Sequence, residues 1–349
     1  MKDTSPILVR VPNWIGDAVM CLPALEAIHR LYPDRPVIVA AKPRVVPVFE
    51  HAPYVKDIIE YDDRGRHRGV MGRLRFAGEI KKRGFGLAVL FQNAFDAAFL
   101  SFISGIPERV GYGRDLRSPL LTTAIKAGPE IKKRHQIFYY LHIVKALGAK
   151  MPPKPPVPRL KISASEERWA ENFLKEHGLA KRPLAGAAPG ASYGQAKRWP
   201  AKAFSHALNA VAKRRKAAIL IFGGPDDIAD CDAVYTGLDW PERVNLCAKL
   251  TLGESMALMA QCAVFITNDS GPMHLAAALG VPTVAVFGST DAGLTGPTGP
   301  SVSVIQKSID CSPCFKRECR YGHYKCLTEI DADAVADEAC GLMKKARKR

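Results

Sequence analysis

Four short segments of the sequence join glycine or proline to a carboxylate, lysine, serine or histidine, and each directly follows a run of apolar residues. The first, Pro12-Asn-Trp-Ile-Gly-Asp17, follows Ile7 to Val11. Its carboxylate, Asp17, can take a proton from a substrate hydroxyl, or it can serve as a helix N-cap. Gly16 permits a close backbone turn, while Asn13 and Trp14 complete the loop; a tryptophan there is costly unless it packs on something. The second, Ala188 to Pro200, carries Ser192 and Lys197 among small residues before a helix start. Amides and a lysine point charge so placed suit a phosphate, although the segment lacks the Gly-x-x-x-x-Gly-Lys-Ser/Thr pattern. The third, Gly223-Gly-Pro-Asp-Asp227, offers Asp227 to ribose hydroxyls or to a helix start. In the fourth, Asn268-Asp-Ser-Gly-Pro-Met-His274, Asp269, Ser270 and Gly271 meet the amides of a new helix, with His274 one turn inside it.

These loops need elements that present them side by side. In open parallel sheets, ligands bind where strands end and helices begin. The chain supplies such strands: Ile7 to Val11, Val37 to Ala41, Asp57 to Tyr61 and Leu87 to Phe91 are short, rich in Val, Ile and Leu, and alternate with amphipathic stretches. Ala18 to Leu31 and His135 to Leu147 have helical spacing. Met151 to Pro158 holds five prolines in eight residues, which excludes helix and interior strand. After it the alternation resumes with strands at Leu184 to Ala188, Ala218 to Phe222, Arg243 to Leu246, Val264 to Thr267 and Thr283 to Phe287. Helices are expected near Ser165 to His177, Pro200 to Arg214 and Asp331 to Lys345. The expected class is therefore α/β: a domain over residues 1–150, a linker over 151–160 and a second domain over 161–349, doubly wound and facing each other across a cleft.

The 349 residues, 47% hydrophobic and 24% charged, exclude disorder, fibre and coiled coil. The net charge of +16 is uneven, with 24 Lys and Arg against 14 Asp and Glu in residues 1–150. Such a surface attracts nucleic acid, an anionic membrane face or a phosphorylated substrate. Nucleic acid is disfavoured, because the basic residues are not interleaved with aromatic platforms. The run Arg64 to Arg83 has a plain alternative as a solvated helix face. Ser270 to Thr290, though free of charged residues, is broken by Gly and Pro and is expected to be a short helix and a buried strand. No export signal is read at the start, so a cytosolic protein with reduced thiols is expected. Cys311, Cys314, Cys319 and Cys326 fall within 16 residues, compatible with a zinc or other cluster, with free thiols, or with a disulfide. The pairs Asp230/Asp232 and Asp331/Asp333 are expected to cap helices away from the four loops, so chemistry without a metal is expected.

Taken together, Pro12-Asn-Trp-Ile-Gly-Asp-Ala-Val-Met20, Pro189-Gly-Ala, Ala196-Lys-Arg-Trp-Pro200, Asn268 to His274 and Cys311-Ser-Pro-Cys-Phe-Lys-Arg-Glu-Cys319 resemble glycosyltransferase family 9, the ADP-heptose:lipopolysaccharide heptosyltransferases, and most closely its type II members. The resemblance runs from near Ile7 to the last helix. It implies a GT-B fold, with acceptor binding in the first domain and nucleotide-sugar binding in the second. It implies inverting transfer of L-glycero-D-manno-heptose from ADP-heptose to the first heptose of the inner core, with no cofactor required; a type I transferase or another GT-B sugar-nucleotide enzyme is the alternative. By the same resemblance Asp17 is the general base, Lys197 contacts the diphosphate, Asp227 lies near the ribose, and Asp269, Ser270, Gly271 and His274 line the heptose-diphosphate pocket with Ser192 adding a phosphate contact. A monomer, peripheral on the inner membrane, is expected.

Overall fold

In the computed structural model, which describes residues 3–346, the chain divides after Pro158 into two compact units. The first unit runs β1 (Ile7–Arg10), α1 (Ile15–Met20), α2 (Leu22–Leu31), β2 (Val37–Ala41), β3 (Asp57–Glu60), α3 (Gly69–Lys82), β4 (Leu87–Leu90), α4 (Phe95–Ile103), β5 (Glu108–Tyr112), β6 (Thr123–Ile125), α5 (Pro129–Lys132) and α6 (Gln136–Lys145). Its strands form one sheet in the order β3-β2-β1-β4-β5-β6, parallel throughout. The central strands are buried along their length, as strands covered by helices on both faces must be. On one face Phe76, Ala77 and Ile80 of α3 and Ala98 and Leu100 of α4 pack on Leu8, Ala88 and Leu90.

Two sequence expectations change here. The helix expected over Ala18 to Leu31 is split at Cys21 into α1 and α2. Pro23 sits at the start of α2, where its missing N–H costs nothing, but in a continuous helix that N–H would be needed. The sheet also gains β5 and β6, whose Glu108, Arg109, Gly111 and Thr123 interrupt the apolar run by which a strand is recognised.

The second unit runs α7 (Ala164–Glu176), β7 (Leu184–Ala188), α8 (Ala201–Arg215), β8 (Ala218–Ile221), α9 (Ile228–Thr236), β9 (Arg243–Asn245), α10 (Leu252–Ala260), β10 (Val264–Asn268), α11 (Gly271–Ala278), β11 (Thr283–Phe287), α12 (Ala292–Thr295), β12 (Val302–Gln306), α13 (Lys325–Thr328) and α14 (Ala332–Ala346). Its order, β12-β11-β10-β7-β8-β9, is that of the first sheet read from the other edge. Each unit therefore has the doubly wound order 3-2-1-4-5-6, with its own switch point between its first and fourth strands. Phe204, Leu208 and Val211 of α8 and Val335 and Ala339 of α14 fill one core with Ile219, Ile266 and Trp199. Truncating the fully buried Phe204 to alanine would cost about 3–5 kcal/mol. Among the described residues no helix is long and apolar enough to cross a membrane.

Candidate active site

The four strands at the two switch points are β1 and β4, and β7 and β10. The helices that follow them, α1, α4, α8 and α11, have no side-chain cap on their first amides. By contrast α7 and α10 carry full capping boxes, Ser163 with Glu166 and Thr251 with Glu254. Uncapped helix starts keep N–H donors and the positive end of the helix dipole available to an anion.

In the first unit Asp17 is the third residue of α1, half-buried, and Trp14 occupies the N-cap position instead. The alternative of Asp17 as an N-cap is thereby excluded. Its Oδ1 accepts a hydrogen bond of 2.8 Å from the hydroxyl of Tyr140 on α6. Burial above all, and then the Asp17 charge, push the Tyr140 phenol well above its ordinary value, so it keeps its proton and acts as donor. At the end of β1 the fully buried Arg10 donates to Gln92 Oε1 at 3.2 Å and lies 4.6 Å from the Tyr61 ring centre. Burial pulls its guanidinium below the usual value while nearby Asp96 acts in the opposite sense. Arg117, also fully buried, donates to the carbonyls of Tyr112 and Gln92 and to Asn93 Oδ1. The ends of β1 and β4 are thus held by buried cations behind the loops they carry. Trp14 is 58% exposed, and it packs on Arg44, whose guanidinium lies 4.8 Å over the ring and whose Nε donates to Asn13 O at 2.7 Å.

In the second unit Lys197 Nζ lies 2.5 Å from Asp269 Oδ2, the lysine 12% and the aspartate 5% exposed. Thr290, just after β11, donates its hydroxyl to the same carboxylate oxygen. Asn268 clasps the two switch-point loops together: its Nδ2 donates to Pro189 O at 2.5 Å, and its Oδ1 accepts from the Trp199 amide at 3.0 Å. Ser270 is the N-cap residue of α11, Gly271 opens the helix, and His274 is buried one turn in. Asp227 approaches the same β7 loop so closely that a Cβ on Gly190 would fall 2.0 Å from Asp227 Oδ1. Its Oδ2 accepts from the Gly224 amide at 2.9 Å. Its Oδ1 and the Ser289 hydroxyl are buried atoms with no hydrogen-bond partner among the described residues. Buried acceptors are rarely left so, and a ligand hydroxyl is one way to satisfy them. Ser192 is exposed on the β7 loop.

One expectation is corrected: Asp230 does not lie apart from the loops, for it pairs with Arg198 at 3.1 Å, next to Lys197. Burial raises the pKa of Asp230 and Arg198 opposes that rise. Asp232 accepts from Asn245 rather than capping, whereas Asp331 does accept the Asp333 amide at the start of α14.

The cysteine-bearing loop is a buttress of the Lys197 segment. Phe315 O accepts from Tyr193 Oη at 2.7 Å, Arg317 O accepts from the Ala196 amide at 2.9 Å, and the Cys314 and Phe315 amides donate to Ser289 O. Gly194 has φ +147°, and a Cβ there would fall 2.5 Å from Arg317 O, so the contact requires glycine. All nine cysteines are free thiols. Among the described residues no three of the loop's cysteine and histidine ligand atoms lie within 4.8 Å of one another. Burial pushes the Cys319 thiol up, but the amides of Tyr324, Tyr321, His323 and Gly322 outweigh it and hold it below the usual value.

Sequence reasoning missed Tyr140, Thr290, Ser289 and the clasp by Asn268. Tyr140 lies 123 residues from its partner and carries no local signal. Arg10 could have been noticed, as a charged residue inside an otherwise apolar strand.

A family model described as glycosyltransferase family 9 (heptosyltransferase) matches residues 73–325. The chain is 30% identical to lipooligosaccharide heptosyltransferase 2 of Campylobacter jejuni, over 97% of this chain and 98% of that protein. It is 26% identical to lipopolysaccharide heptosyltransferase 2 of Escherichia coli K12, again over 97% and 98%. Among solved structures, E. coli ADP-heptose lipopolysaccharide heptosyltransferase II matches with TM-score 0.84 at 25% identity, covering 98% of this chain and 99% of that one. A family 9 glycosyltransferase from Veillonella parvula matches with TM-score 0.89 at 26% identity, covering 99% of both.

Proposed function

The chain belongs to glycosyltransferase family 9, and from that premise we propose that it moves L-glycero-D-manno-heptose from ADP-heptose to the first heptose of the lipopolysaccharide inner core, with inversion. Asp17 takes the proton from the acceptor hydroxyl; the freed oxygen forms its bond to the anomeric carbon as the bond from that carbon to the β-phosphate oxygen breaks. ADP leaves with the electron pair. Asn13 and Trp14, ahead of α1, belong to the acceptor segment with Gly16, which the fold places in the first turn of α1 rather than in a loop turn, and the Trp14 ring is an apolar platform.

The observation that carries this reading is the Lys197–Asp269 pair beside the uncapped starts of α8 and α11. A lysine held by one buried carboxylate is positioned before substrate arrives, and the incoming diphosphate gains a cation whose orientation is already set. Charge grows on that diphosphate as the glycosidic bond breaks, so the lysine and the helix amides stabilise the transition state more than the ground state. Asp227 accepts from a ribose hydroxyl through its unpartnered Oδ1. Ser270, Gly271 and His274 complete the heptose-diphosphate pocket with Asp269, and Ser192 adds a phosphate contact. In this scheme a lysine and helix dipoles do the work of a divalent ion, and no cofactor is required. The enzyme acts as a monomer in the cytoplasm, peripheral on the membrane face that holds its acceptor.

The test is to incubate the protein with ADP-heptose and deacylated core acceptors bearing no heptose or one, and to weigh the products. The expected result is gain of one heptose by the one-heptose acceptor with one ADP released, undiminished by a chelator. Heptose gain only on the heptose-free acceptor reassigns the enzyme to the type I reaction. No gain on either rejects the reading.

A further inference from the structure

The face that α3 and α4 turn away from the sheet is unlike an ordinary solvated surface. On α4, Ala97, Ala98, Leu100 and Ser101 are buried against the core, while Phe95, Phe99 and Phe102 point outward, 47%, 36% and 48% exposed. These three follow one another at the spacing of a single helix face, and the Phe95 and Phe99 rings stack at 5.9 Å. Asp96 is the sole charged residue of α4, so the helix is apolar all round; in water, a helix of that kind belongs in an interior. On the neighbouring first turns of α3, Val70, Met71 and Leu74 are 72%, 75% and 49% exposed. The Arg73–Asp96 pair at 3.5 Å joins the two sets into one patch. Residues 64–83, which lead into α3 and run along its length, carry eight Lys and Arg against one acidic residue.

From this juxtaposition we propose that the α3–α4 face is a docking surface for an anionic phospholipid bilayer, with Val70, Met71, Phe95 and Phe99 entering the headgroup boundary and the flanking basic residues lying on the lipid phosphates. The inference rests on the membrane-face placement proposed above and gives it a specific surface. A contiguous apolar patch ringed by cations is the signature of interfacial binding. Aromatic rings favour the boundary between headgroup and acyl chain. A second copy of the chain suits the patch poorly, since it would set one strongly basic face against another. Nucleic acid matches the charge but has no use for the aliphatic Val70, Met71 and Leu74. These helices start at the carboxyl edge of the first sheet, the edge that also carries the Asp17 loop, so docking there brings the acceptor loop down to the lipid plane.

Sedimentation with acceptor-free vesicles tests this. The full chain is expected to bind phosphatidylethanolamine/phosphatidylglycerol vesicles, to bind neutral phosphatidylcholine vesicles weakly, and to be released by salt. Met71→Ser/Phe99→Ser and Lys81→Glu/Lys82→Glu should each lower the vesicle partition coefficient by about tenfold or more. Both variants should keep the wild-type melting temperature and wild-type turnover of a soluble, deacylated acceptor. That second readout separates the two claims: absent turnover with intact vesicle binding sinks the transferase reading alone. Vesicle binding unchanged in both variants, or absent in the wild type, overturns the docking surface. So does a dimer that the Met71/Phe99 variant dissolves, or RNA binding that the lysine variant abolishes while lipid binding persists.

Discussion

The two switch points are built on one topology and hold opposite chemistry. At the first, a carboxylate, Asp17, is presented by α1 and held from behind by the neutral hydroxyl of Tyr140. At the second, a cation, Lys197, is presented by the β7 loop and held by the buried carboxylate of Asp269. In each case the fold supplies the position, a strand end meeting a helix start, while the partner behind the functional group sets its orientation. The difference teaches that the doubly wound sheet is indifferent to the charge it displays. A carboxylate and a cation are thus displayed on two copies of one arrangement, and the comparison can be broken one member at a time.

Removing the first unit's carboxylate should have the largest effect. Asp17→Ala is expected to lower kcat by roughly 100-fold or more, the worth of a positioned general base, in a steady-state assay of ADP release. Lys197→Ala comes next, with turnover down about 100-fold and donor affinity down with it, because the same cation serves ground and transition states. Gly190→Ala is milder. Its methyl group would displace the Asp227 carboxylate, and calorimetry should show ADP binding about tenfold weaker, the scale of one lost charge-assisted hydrogen bond. The smallest change belongs to Tyr140→Phe, with kcat down about fivefold at unchanged donor KM, equivalent to about 1 kcal/mol of positioning.

The phenol of Tyr140 also makes a prediction in pH. An unfolded tyrosine ionises near pH 10, roughly, and the buried one later. Its contribution to stability is therefore whole below that value and is lost as pH climbs toward the folded one. Alkaline melting curves should show Tyr140→Phe losing less stability above about pH 10 than the wild type does.

Local patterns made much of this legible. The four loops were readable because glycine, proline and a polar residue after a buried strand have few other uses, and the central strands because they are apolar without interruption. The outer strands β5 and β6, with Glu108, Arg109 and Thr123, were hidden by exposed and half-exposed polar positions. The split at Cys21 turns on the position of one proline, which a spacing argument averages away. Least legible were the partners: Tyr140 for Asp17 and Thr290 for Asp269 come from distant elements, and only the folded sheet order brings them together.

The central claim is a division of labour, with chemistry in one unit and nucleotide in the other. Its most direct measurement is ADP titration of Asp17→Asn and Lys197→Met beside their turnover. The account predicts that Asp17→Asn binds ADP with wild-type affinity while turning over at roughly one hundredth of the rate or less, and that Lys197→Met loses both together. An Asp17→Asn enzyme that weakens ADP binding as much as turnover, or that turns over normally, would contradict it.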